Sequence, residues 1–171
     1  MWRPVCHSVS RPRNYVQPYG AEFLKLFTEK LRPLNGGKIP VTSLARDEGK
    51  QFSLKRAGYP TAPIDSETGK FLSQHLRFNA ADFSKRLKPE AKAFIRDRFI
   101  TPFENIRIKF RPVNVYFEGG RGSIHVEFPV NAQQLELCKK LLEASTLEEI
   151  AAIVQEEKML SSQNAKRTGT K

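Results

Sequence analysis

Hydrophobic and polar positions alternate most cleanly between residues 105 and 128. In "NIRIKFR" (105–111) Ile106, Ile108 and Phe110 fall on one face, and Arg107, Lys109 and Arg111 on the other, which predicts a strand. "VNVYFEGGRGSIHVEF" (113–128) repeats the pattern twice. Val113, Val115 and Phe117 precede a glycine-rich turn, and Ile124, Val126 and Phe128 follow it, so a hairpin with one buried face is expected. Upstream, Pro89 suits a first helical turn, and Ala91, Phe94, Ile95 and Phe99 share an arc of a helix over 89–103 that Thr101-Pro102 ends. "KFLSQHLRF" (70–78) reads as a first strand.

Outside this block the period is helical. Phe23, Leu24, Phe27 and Leu31 recur at helix spacing before "PLNGGKIP" stops the element. Over 41–58, Ser43 is positioned to cap a helix that Gly49 weakens. Toward the C-terminus, Leu135, Cys138, Leu141 and Leu142 mark one helix, and Ser145 with Glu148 and Thr146 with Glu149 offer capping boxes for another. The order of elements predicts an α+β fold, a sheet of about four strands covered by helices. The expected organisation is a basic N-terminal extension with a short helix (1–58), a linker loop (59–69), the main domain (70–160) and a basic, mobile tail (161–171).

Charge changes the picture. The net charge of +11 favours an anionic partner, and it is unevenly spread. Residues 1–58 hold 11 basic against 4 acidic residues, 59–112 hold 11 against 6, and 113–171 hold 7 against 8, so the last third is the part expected to contact protein. Arg3, Arg11 and Arg13 precede the first acid, Glu22, a bias shared by organelle-import segments and by basic arms that lie on a partner. No apolar run approaches the roughly 20 residues of a membrane-spanning helix.

Candidate chemistry is sparse. Cys6 and Cys138 form no CxxC pair for redox work or zinc, and Cys6-His7 has too few companions for a metal. His7, His75 and His125 match no nucleophile motif, and His125 falls on the polar face of the hairpin, where a solvated or hydrogen-bonded side chain is expected. "EGGRG" joins two strands rather than opening a helix, so it reads as a turn rather than a phosphate loop. No catalytic residue, metal or cofactor is therefore expected. The basic residues are better ordered: Lys88, Lys92 and Arg96 recur every four residues, and with Lys85, Arg86, Arg107, Lys109 and Arg111 they are placed to form one electropositive surface. Arg121 at the hairpin tip and Arg3, Arg11, Arg13, Lys166 and Arg167 in the ends would add phosphate contacts. With no aromatic consensus for stacking bases, binding is expected to read phosphate and shape.

"LRFNAADFSKRLKPEAKAFIRDRFITPFENIRIKFRPVNVYFEGGRGSIHVEF" followed by "STLEEIAAIVQ", covering about 76–155, resembles the small thioredoxin-like family shared by mitochondrial ribosomal proteins and an accessory subunit of respiratory complex I. The resemblance implies a thioredoxin-like domain without a redox role, located in the mitochondrial matrix. Its ribosomal branch implies a structural protein contacting rRNA and neighbouring ribosomal proteins; its other branch implies an accessory subunit of a respiratory complex.

Overall fold

A computed structural model describes residues 18–44, 48–58, 61–68, 74–77, 79–104, 111–118 and 123–168. The first helix, α1 (Pro18–Leu34), buries the apolar stripe predicted for it: Phe23, Leu24, Phe27 and Leu31 are all in the core. It stops in a Schellman turn. Gly37 N–H donates to the Arg32 carbonyl at 2.8 Å, and Gly36 adopts φ 74°, a left-handed conformation that glycine accepts without steric cost.

The chain then forms β1 (Val41–Ser43), α2 (Glu48–Arg56), a 3-10 turn (Gln74–Arg77), β2 (Ala80–Phe83), α3 (Pro89–Phe99), a second 3-10 turn (Thr101–Phe103), β3 (Val115–Phe117), β4 (Ile124–Glu127), α4 (Ala132–Glu143) and α5 (Leu147–Thr168). The four strands make one sheet in the order β1-β2-β4-β3, with every pairing antiparallel. This is the α+β, four-stranded architecture expected. The hairpin strands pair as predicted, with Val115 opposite Val126 and Phe117 opposite Ile124, but β4 is buried on both faces rather than one.

One face of the sheet carries the apolar core. Phe83, on β2, lies 5.4 Å from the Phe27 ring, and Phe23 and Phe27 each meet Phe99 of α3 at 5.9 and 5.8 Å. Phe128 closes the cluster 6.2 Å from Phe23, and a Cβ on Gly20 would come within 2.8 Å of the Phe128 ring, so α1 approaches the end of β4 at a distance only glycine permits. Ile95 on α3 and Leu141 on α4 complete this layer.

Several expectations require correction. Residues 18–44 are integral to the domain, because α1 fills the core and β1 pairs with β2; the extension expected over 1–58 is in this part no extension. The strand expected over 70–78 is a 3-10 turn at 74–77, and the strand is β2, whose residues are all buried, so no apolar-polar alternation marks it. Ser43 lies in β1 instead of capping a helix. The α3 helix ends at Phe99, at the expected Thr101-Pro102 stop, but the chain does not simply break there: Ile100 N–H bonds the Arg96 carbonyl and Thr101–Phe103 tightens to 3-10. Finally, α5 continues to Thr168 through the segment expected to be a mobile tail. Of the strand expected over 105–111, residues 105–110 lie outside the described residues. Among those described, no helix is long and apolar enough to cross a membrane.

Two side-chain devices hold the helices in register. Thr146 and Glu149 form the predicted capping box: Glu149 N–H donates to Thr146 Oγ1 at 3.1 Å, and Ser145 N–H donates to the Glu149 carboxylate at 2.6 Å. Arg98 donates from Nη2 to the Ala144 carbonyl at 2.6 Å and lies 3.9 Å above the Phe94 ring, tying α3 to the end of α4. Burial there pulls the Arg98 guanidinium below its ordinary pKa.

Candidate functional site

The face of the sheet turned away from the phenylalanines is polar. Pairing places Asp82 of β2 opposite His125 of β4, and His125 opposite Tyr116 of β3, so one row of side chains crosses three strands. Because successive residues alternate, the neighbours Ala81, Phe83, Ile124 and Val126 point into the apolar layer while this row points out of it. The row is nevertheless covered. The 3-10 turn lays His75 over it, held by the Asn79 N–H donating to the Gln74 carbonyl at 3.0 Å, and Tyr116 stacks on His125 with centroids 4.7 Å apart. His75, Asp82 and His125 are only 2%, 1% and 5% exposed.

Three donor-acceptor atoms converge there. His75 Nε2 lies 3.0 Å from Asp82 Oδ1 and 3.2 Å from His125 Nδ1, and His125 Nδ1 lies 2.9 Å from Asp82 Oδ1. The outward nitrogens have partners of their own. His75 Nδ1 lies 2.7 Å from the Leu44 carbonyl, which can only accept, so Nδ1 carries the proton; His125 Nε2 faces the Glu127 carboxylate at 3.9 Å. These three residues can share protons or hold a cation between them.

Sequence reading leaves His125 either solvated or hydrogen-bonded and gives His75 and Asp82 no role; the side chain is hydrogen-bonded and buried. The burial escapes the sequence because β4 is an inner strand, so its second face is covered and alternation no longer reports exposure. A signal did exist. Asp82 is the only ionisable residue of the short run "AADF", and an aspartate inside a wholly buried strand needs a partner.

The predicted basic surface divides. Lys85, Arg86, Lys88 and Arg96 are exposed and Lys92 half-buried, all on α3 or the turn before it. Lys88 N–H donates to Asn35 Oδ1 at 2.7 Å and its Nζ rests beside Gly36, which joins this group to the exposed Arg32 and Lys38 at the end of α1, two cations that sequence reading passed over. Arg111, by contrast, is half-buried and donates from Nη2 to the Phe103 carbonyl at 2.7 Å; its guanidinium holds the second 3-10 turn instead of facing a phosphate. Arg3, Arg11, Arg13, Arg107, Lys109 and Arg121 lie outside the described residues, as do the side chains of Lys166 and Arg167 at the end of α5.

Charge pairing separates this face from the C-terminal helices. Lys139 on α4 bridges Glu22 at 2.9 Å and Glu136 at 2.8 Å, which holds its ammonium above the ordinary lysine pKa, and Lys140 lies 3.7 Å from Glu156 of α5. No carboxylate among the described residues pairs with Lys88, Lys92 or Arg96. Compared with known proteins, the chain matches no family model, no curated protein and no solved structure.

Proposed function

We propose that the chain is a non-catalytic structural constituent of the mitochondrial ribosome, acting in the matrix, binding rRNA phosphates through the α3 face and neighbouring ribosomal proteins through α4 and α5. The observation that carries the RNA part is the contrast in charge use: Lys88, Lys92 and Arg96 have no carboxylate partner among the described residues, whereas lysines of α4 are satisfied within the protein. Such a face suits a phosphate backbone, whose neutralisation releases counterions. Membership of the ribosome rests on the sequence resemblance. So does a thioredoxin-like form for 70–160, which needs a strand over 105–110 parallel to a neighbour. Amide exchange along 105–110 tests its pairing.

Gradient sedimentation of tagged protein from mitochondrial lysate, with and without RNase, tests the function. Co-migration with a ribosomal subunit that RNase abolishes is expected. Migration with membrane complexes that ignores RNase would instead indicate an accessory subunit of a respiratory complex.

A further inference from the structure

We propose that His75, Asp82 and His125 bind one first-row divalent transition-metal ion of the zinc class, an inference independent of whether the chain binds RNA.

The proton count inside the triangle motivates it. With His75 Nδ1–H donated to Leu44, the Nε2 of a neutral His75 has only a lone pair, and it faces Asp82 Oδ1 at 3.0 Å and His125 Nδ1 at 3.2 Å. His125 Nδ1 can supply one proton to the triangle, toward Asp82 at 2.9 Å. If His75 is neutral, the edge between His75 and Asp82 sets lone pair against lone pair in a site 1% to 5% exposed; a second proton on His75, donated to Asp82, or a cation at the centre each resolves it. With the His125 proton carried on Nε2, on the Glu127 side, all three inward atoms present lone pairs that one cation can meet.

The size fits. Ligands about 2.0 to 2.1 Å from a metal stand about 2.9 Å apart along an octahedral edge and about 3.4 Å apart along a tetrahedral one. The observed edges of 2.9, 3.0 and 3.2 Å fall within that span. The donors also choose the metal. Two imidazoles and one carboxylate suit zinc, iron(II), cobalt(II) or nickel(II), whereas calcium and magnesium prefer sets made only of oxygen.

The surroundings have part of the form that metal-bound histidines require. His75 turns its other nitrogen to the Leu44 carbonyl at 2.7 Å, and His125 turns its own toward the Glu127 carboxylate at 3.9 Å, longer than a hydrogen bond but close enough for the charge to favour a proton there. Asp82 and His125 are fixed by strand pairing, so the metal would chiefly immobilise the 3-10 turn that carries His75, clipping it to the sheet. Three protein donors leave the remaining coordination positions to water.

The test uses the full-length, untagged chain, stripped with chelator and titrated with zinc or cobalt(II) alone. One equivalent should bind, with cobalt giving a visible d–d spectrum and no thiolate charge-transfer band. The thermal midpoint should rise about 5 to 10 °C at a free zinc concentration 100-fold above Kd. His125→Gln and Asp82→Asn should abolish the spectrum, and Glu127→Gln should weaken binding by roughly 10-fold. Absence of stoichiometric binding by the unsubstituted chain overturns the proposal, as does a thiolate band. Equal binding by His125→Gln does the same. Should a variant fail to fold, the unsubstituted chain's stoichiometry and cobalt spectrum still decide.

Discussion

The two faces of the sheet are built from the same four strands yet solve opposite problems. On one, Phe83, Ile124 and Val126 meet the phenylalanines of α1 and α3, and stability comes from apolar area removed from water. On the other, Asp82 and His125 are equally removed from water and must find partners within the protein. Burial alone therefore does not distinguish them. What differs is the requirement: the first face needs close-fitting apolar shape, while the second needs each group to keep a specific partner.

The largest expected effects come from breaking each face in its own way. Phe27→Ala removes a fully buried ring that meets Phe23, Phe83 and Phe99, and should cost about 3 to 5 kcal/mol in urea unfolding. Asp82→Ala leaves two buried imidazoles facing each other and should cost a similar amount, about 3 kcal/mol; a cost below about 1 kcal/mol would mean that the triangle contributes little to the fold. Gly20→Val drives two methyl groups toward Phe128 and should cost about 1 to 3 kcal/mol by the same measurement.

Smaller changes sharpen the contrast. Thr146→Ala removes the cap of α5, far from both faces, and should cost about 1 kcal/mol. Reversing Lys88, Lys92 and Arg96 to Glu should leave the unfolding midpoint nearly unchanged while lowering RNA affinity and flattening its dependence on salt. Cys138 gives a pH probe. Burial pushes its thiol upward, so folding favours the protonated form; that contribution is intact below the ordinary thiol pKa and declines as pH rises above it. In a Cys6→Ser chain, thiol reagents should label Cys138 only after unfolding.

Elements with a strong local signal were legible from sequence. The stripe of α1 shows because its other side is solvated, the hairpin because apolar and polar residues alternate about a glycine-rich turn, and the Thr146 capping box because it is a local spacing. The strand β2 was not legible, since all its residues are buried, and neither was the place of α1, which depends on contacts between Phe23 and Phe27 and residues far along the chain. The candidate site was hidden for a related reason. Its three members come from a 3-10 turn and two strands, with 50 positions between the histidines, and no local spacing encodes their meeting. Arg111 shows the reverse error: a charge on an alternating stretch looks solvated until its guanidinium is seen on a backbone carbonyl.

The close approach of Gly20 to Phe128 also bears on how the chain is made. Helix α1 is translated long before Phe128 and α4, the residues its surface fits. At roughly 5 to 20 residues per second, Phe23 and Phe27 wait on the order of ten seconds before β4 and α4 have been synthesised to cover them. A nascent chain stalled before residue 128 should therefore present an amphipathic helix with its apolar stripe open, and chaperone capture should fall sharply once α4 emerges.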